Sequence, residues 1–284
     1  MKLIKITILL LITALSFTSC DEYLDVNDDV NNPSADQVTP ELILPAAQNG
    51  SVSAKLGTQN RFGTTMMNQW AGDVTNFTGG NDDEYFYNIN NTFYAGIWNN
   101  MYLATDKLQA IINLNSNENV NFAAIATILK AHNMQYIVDM YGNAPYSEAF
   151  QRGDNYQPAY DNAMDIYKGI VSSLDSAVAM IGNAGIEAKN PGASDVMMGG
   201  DMDKWVRFAN TLKLKLLVRA NSSSDTDMQS FVASQFATLS SASFLAAGEN
   251  VLSNPGYAAD TGRQNPFWNS YFLTNGNATN TYLF

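Results

Sequence analysis

The chain reads as a mostly α-helical protein of tetratricopeptide-like helical hairpins with long irregular loops. Three observations predict this. From residue 41 on, apolar residues recur at 3.6-type spacing. Strand-like alternation is scarce, and polar loops divide the helical stretches into consecutive pairs.

The elements follow in order. Two helical pieces are expected within 40–56 and 60–72. In 91–114, Phe93, Ile97, Met101, Ala104, Leu108 and Ile111 make one stripe. In 121–141 the stripe is Phe122, Ile125, Leu129, His132, Tyr136 and Met140, and Gly142 supplies a left-handed stop. The 161–182 helix starts at Asp161 as N-cap and carries Tyr167, Ile170, Leu174, Val178 and Ile181. The 201–220 helix starts near Asp201 or Asp203 and carries Trp205, Phe208, Leu212 and Leu216. Its second apolar face, Val206, Ala209, Leu217 and Ala220, predicts a helix buried nearly all round. A weaker amphipathic helix is expected over 226–242, and the text after 243 reads as loop. The pairs, 91–114 with 121–141 and 161–182 with 201–220, follow αα-hairpin logic, although the usual 34-residue repeat signature is not legible.

Composition narrows the function. Of 284 residues, 46% are apolar and 11% aromatic, so a large core can form. Only 15% are charged, against roughly 25% in an average soluble domain, which excludes coiled coil and disorder. The net charge of −12 repels phosphate backbones, so no nucleic-acid partner is expected. With one cysteine and one histidine there is no internal disulfide and no Cys-based metal cluster.

The N-terminus reads as an address. Lys2 and Lys5 precede an apolar run over 6–17, which fits a signal peptide spanning 1–19 and is too short to cross a bilayer. The lone Cys20 stands directly behind Ser19, as in a bacterial lipoprotein box, where the thiol is lipidated and becomes the first mature residue. Phe17 stands where Leu is commoner. Cleavage there leaves 13 basic and 27 acidic residues, a mature charge of −14. Residues 20–40, with Asp21, Glu22, Asp25, Asp28 and Asp29, read as a lipidated acidic tether, and 41–284 as the helical domain. Several acyl chains would hold such a protein stably on a membrane.

Catalytic chemistry finds little support. His132 lies on an apolar stripe and reads as a core or boundary histidine; with Cys20 spent on lipid, no Ser/His/Asp or Cys/His machinery can form. Residues 25–36 begin like a calcium loop, but Val30 replaces the required Gly and Asp36 the closing Glu, so no metal or cofactor is expected. Asp82, Asp83 and Glu84 could serve a glycosidase, though adjacent carboxylates in a polar loop are more often solvated. Lys204, Arg207, Lys213, Lys215 and Arg219 read as stems snorkelling from a buried helix. The chain is read as a binding protein and not an enzyme.

The segment 70–98 carries the binding hypothesis. Trp70, Phe77, Tyr85 and Tyr87 alternate with Asn, Asp and Gly, including Asp83. Rings stack on the C–H faces of sugars, and amides and carboxylates bond to hydroxyls; Trp70 and Tyr85 come first among these candidates. The alternative is that the rings pin the loop to its helices.

Several segments together resemble the SusD/RagB family of Bacteroidetes lipoproteins, closest to the starch-binding-associating subgroup. They are the lipobox with 21–27, Asn32-Pro33-Ser34, 42–47, Trp98-Asn99-Asn100-Met101-Tyr102, 136–149 and 203–215. The most specific are the Tyr-Gly-x-x-Pro-Tyr-Ser-Glu-Ala run from Tyr141 to Ala149 and the Lys-Trp-x-x-Phe-Ala-Asn run from Lys204 to Asn210. The resemblance implies a SusD-like α-α superhelix, anchored in the outer membrane and facing the cell surface. It implies capture of glycans, or of peptides in a RagB-like branch, for delivery to a SusC-type TonB-dependent transporter. A scaffold making only protein contacts is the further alternative. No ligand residue carries over by motif. Gly142 and Pro145 are expected to shape a turn, and Trp205 and Phe208 to fill a core. Family members are usually longer, so the chain is expected to be incomplete at its C-terminus.

Overall fold

The computed structural model describes residues 38–72, 82–272, 276 and 282–283. Two units are distinguished, Met1–Val38 and Thr39–Phe284, and the elements below belong to the second. Cys20 and the expected signal peptide and tether up to residue 37 lie outside the described residues.

Helix α1 spans Pro40–Ala54 and runs through a π-helical turn, Lys55–Gln59, into α2, Asn60–Met66. A two-residue strand β1, Ala71–Gly72, and a single helical turn α3, Asp82–Tyr85, precede the longer helices. These are α4 (Ala95–Asn113), α5 (Val120–Tyr141), α6 (Ala163–Gly182), α7 (Met202–Ala220) and α8 (Thr226–Thr238). A short α9, Pro266–Tyr271, breaks the stretch expected to be loop after 243. Strand β2, Tyr282–Leu283, pairs antiparallel with β1, Gly72 opposite Tyr282. No helix among the described residues is long and apolar enough to cross a membrane.

Each long helix packs on the next: α4 on α5, α5 on α6, α6 on α7 and α7 on α8, with α1 laid against α4. The expected hairpins are present. The helix enclosed on nearly all sides is α5, where Phe122, Ile125, Ile128, Met134 and Ile137 point into one core together with Ala124 and Ala131. Helix α7 corrects the expectation of burial all round. Trp205, Phe208, Leu212 and Leu216 are buried, but Val218 is exposed and Lys215 and Arg219 face solvent.

The helix ends have local causes. Asn162, and not Asp161, caps α6, its side chain accepting from Met164 N. Asp161 is one residue too early and performs another task, described below. Asp201 caps α7 by accepting from Lys204 N, and Asp225 caps α8. Gly142 ends α5 at φ +74°, ψ −121°, a conformation closed to residues with a Cβ, although not the αL geometry of the usual stop.

Three of the five basic residues of α7 are ion-paired, and Lys213 departs from the snorkelling expected. Lys213 is only 2% exposed and donates to both oxygens of Asp175, at 2.7 and 2.8 Å, and to Thr238 Oγ1 at 2.9 Å. Its stem points between α6 and α8 instead of outward. Arg207 pairs with Glu249 at 2.7 Å and Arg219 with Asp139 at 3.0 Å.

Candidate ligand cavity

The local structure around the start of α4 builds a cavity. Tyr94 precedes the helix in the left-handed region, φ +52°, an unfavourable setting for a tyrosine that persists only where its surroundings hold it. Several contacts do so. Its hydroxyl donates to Glu84 and receives Arg61 Nε at 3.2 Å, and its ring meets Phe62 and Phe93 edge-on at 5.0 and 4.9 Å. Burial and the Glu84 carboxylate push the Tyr94 hydroxyl pKa up. This anchor turns the chain into α4 with Trp98 one turn further on.

A second device brings a ring from the opposite side. After α5 the chain forms a loop closed by the Ala144–Asp161 bridge. The Asp161 carboxylate accepts from the amides of Tyr146 and Ser147, each at 2.9 Å, and from Ser147 Oγ at 2.7 Å. Burial alone would raise the Asp161 pKa, but these bonds outweigh it and hold the carboxyl below its usual range. The closed loop sets Tyr160 beside Trp98, the rings nearly parallel at 18° with centroids 6.1 Å apart. Tyr141, at the end of α5, meets Trp98 edge-on at 5.0 Å, and Tyr102, one turn along α4, lies 4.7 Å away.

Trp98, Tyr141 and Tyr160 border a cavity of about 650 Å³, within the range of small-molecule sites. Phe62, Phe93, Tyr94, Trp98, Tyr141 and Tyr160 supply its aromatic walls. Asn90, Asn91, Asn99 and Asn143 supply amides, and no charged side chain lines it among the described residues. Each amide offers both donors and an acceptor. Such a lining suits a neutral ligand with apolar faces and many hydroxyl or amide groups.

The residues singled out from sequence fall elsewhere. Trp70 lies near α9, its ring edge-on to Phe267 at 6.1 Å. Asp83 is exposed and accepts from Asn88 Nδ2 at 2.8 Å. Tyr87 is exposed at φ +51°. None of these three lines the cavity. Phe77 and the side chains of Asp82 and Tyr85, like Cys20, lie outside the described residues. The segment 70–98 does build the wall, but through Ile89, Asn90, Asn91, Phe93, Tyr94 and Trp98 in its second half. Trp98, Tyr141 and Tyr160 were missed because Trp98 and Tyr141 stand in motifs that read as structural, and Tyr160 in a loop without a pattern. The signal was in the text: Trp98 and Tyr102 stand four apart on one face of a helix that begins in an Asn-rich loop.

His132 is partly buried between Tyr136 and Phe208, with Lys55 Nζ 3.1 Å from its Nδ1. Burial and the neighbouring lysines keep it neutral, well below its usual pKa. That is a packed histidine, as expected. No group of three or more His, Cys, Asp or Glu side chains that could hold a metal occurs among the described residues.

The body of helical hairpins carries an aromatic and amide-lined cavity. The SusD-like family model described as "starch-binding associating with outer membrane" matches residues 31–277, and the chain belongs to that family. Among solved structures, it is similar to a SusD/RagB family protein from Bacteroides thetaiotaomicron, at 24% identity and TM-score 0.59, over 82% of this chain and 48% of that one. It is also similar to a SusD homologue from Bacteroides fragilis, at 19% identity and TM-score 0.54, over 84% of this chain and 48% of that one. A third, a chitin-binding protein, aligns at 24% identity and TM-score 0.54 over 75% of this chain and 45% of that one. These likenesses show the fold. The chain spans about half the length of the structures it matches. No curated protein matches it.

Proposed function

We propose that the protein is a cell-surface nutrient-binding lipoprotein, anchored through Cys20 on the tether 20–40, that captures a neutral glycan. The helical body from residue 41 on holds the ligand in the cavity at Trp98 and passes it to a SusC-type transporter in the outer membrane. The observation that carries the reading is the lining of the cavity. Trp98, Tyr141 and Tyr160 present ring surface, four asparagines present amides, and among the described residues no charge is offered to a charged ligand. The family's description as starch-binding and outer-membrane-associated supports it, as does the chitin-binding name of one structural relative. The proposal moves the stacking role from Trp70 and Tyr85 to these three rings.

The role is capture without cleavage. Of the three carboxylates considered for a hydrolase, Asp83 and Glu84 are engaged by Asn88 and Tyr94 and do not line the cavity, and the side chain of Asp82 lies outside the described residues. Isothermal titration of the protein against starch-type and chitin-type oligosaccharides tests the proposal. Saturable binding with no released reducing sugar is expected. Binding of peptides in place of every glycan would move the protein to the peptide branch, and release of reducing sugar would revive a hydrolase.

A further inference from the structure

A second hollow adjoins the first at Trp98. It has a volume of about 520 Å³ and is lined by Trp98, Asn99, Tyr102, Leu103, Asp106 and Phe150. Trp98 and Asn99 line both hollows, so the two adjoin at the start of α4. The second floor is one helical stripe. Trp98, Tyr102 and Asp106 recur every four residues along α4, over about 12 Å of helix at 1.5 Å per residue.

The far wall is held in place by contacts of its own. Phe150 sits at φ +67° and Arg152 at φ +52°, both unfavourable for residues with a Cβ. The Phe150 ring packs 5.7 Å from Tyr102 and carries Lys130 Nζ over its face at 4.9 Å. Arg152 reaches back to Asp106 at 3.3 Å, an exposed pair at the end of the stripe. Tyr102 is fixed by donating its hydroxyl to Pro145 O at 2.8 Å. The rings of both hollows therefore meet at Trp98. The second differs in ending on a charged pair, with donors from Arg152 and acceptors from Asp106.

We infer that the two hollows are consecutive subsites for one extended oligosaccharide that crosses Trp98, with the stripe Tyr102–Asp106 and Phe150 receiving the units beyond the first cavity. The inference rests on the glycan reading of the Trp98 cavity and deepens it: the ligand is an oligomer longer than either hollow alone can hold. A short glycan fills the first cavity only. A longer one gains the contacts of the second.

The test is a titration of the protein with disaccharide to hexasaccharide of whichever glycan series binds, repeated with Leu103→Arg. Leu103 is 66% exposed on a helix, so this variant keeps the fold while a longer side chain obstructs the second hollow. The hexasaccharide is expected to bind about tenfold tighter than the disaccharide, the scale of one or two further aromatic contacts. In Leu103→Arg that gain disappears while disaccharide affinity is unchanged. Asp106→Ala, which opens the end of the stripe, reduces the gain in the same direction. Equal affinity along the series, or equal weakening of both lengths by Leu103→Arg, overturns the two-subsite arrangement and leaves the first cavity standing. Failure of every glycan to bind overturns the underlying reading instead.

Discussion

The indole Nε1 of Trp205 donates to Asp195 Oδ2 at 2.7 Å, both residues being buried. The same carboxylate accepts from Gln48 Nε2 at 2.7 Å, from the amides of Met197 and Met198 at 3.1 Å and from Gly200 N at 3.0 Å. Gln48 Oε1 in turn accepts from Val196 N at 2.9 Å. One acidic side chain thus ties the loop before α7 to α1 and to the largest buried ring of the core. Substituting Asp195→Ala would strand several buried donors at once. A loss of about 2–4 kcal/mol is expected, since each buried group left unsatisfied costs roughly 1–3 kcal/mol. Trp205→Phe should cost less of the polar network but leave a packing gap. Urea unfolding of the two single variants and the double variant measures the coupling; additive losses would show that the bond is not a shared unit.

Lys213 predicts an asymmetry between the two members of an ion pair. Its ammonium is buried while Asp175 is half exposed. Asp175→Ala leaves the cation with Thr238 as its one remaining hydrogen-bond partner, whereas Lys213→Met replaces it with an apolar stem of similar length. Breaking a buried pair from one side costs about 3–5 kcal/mol, while an apolar replacement is often neutral or stabilising. With Asp175 half exposed and Thr238 retained, the first loss should fall to about 2 kcal/mol. Thermal melting of both variants checks the order. A larger loss for Lys213→Met than for Asp175→Ala would contradict it.

Stability should rise with pH above neutrality. Burial, with the charge of Lys215 added, lowers the Lys55 pKa from 10.5 to about 7. Burial lowers Lys130 from 10.5 to about 8. An unfolded chain with ordinary lysines binds more protons than the folded one between about pH 7 and 10.5, so raising the pH through that window stabilises the fold. Below pH 7 the full penalty of charging Lys55 is present. His132 acts in the same sense at lower pH, its folded pKa lying well below 6.5. The groups facing Lys55 are His132, Tyr136 and Lys215, none of them a carboxylate. Denaturant midpoints measured from pH 6 to 10 should climb, each such group contributing at most about 1.4 kcal/mol per pH unit. Lys55→Met should flatten the slope; an unchanged slope would show that Lys55 titrates normally.

The helices were legible because burial of a stripe imposes a period, and α4 to α8 fall within a few residues of their expected limits. The caps were legible where an acid stood next to the first turn, as at Asp201. Asp161 misled because its side chain closes a loop back to Tyr146 and Ser147, a partner some fifteen residues away that no local rule contains. Lys213 misled in the same way, its partners lying on α6 and α8. The cavity was half legible. An aromatic and asparagine-rich segment does build its wall, but which rings face it depends on the left-handed turn at Tyr94 and on the loop that delivers Tyr160. Both are tertiary facts.

The most direct test of the account is the affinity of Trp98→Ala for the tightest-binding glycan, measured by titration calorimetry beside Trp98→Phe and Trp70→Ala. Circular dichroism melting confirms that each variant is folded. The account predicts a loss of about tenfold or more for Trp98→Ala, partial recovery in Trp98→Phe, and wild-type affinity within about twofold for Trp70→Ala. Wild-type affinity in a folded Trp98→Ala protein would contradict it and place the ligand elsewhere.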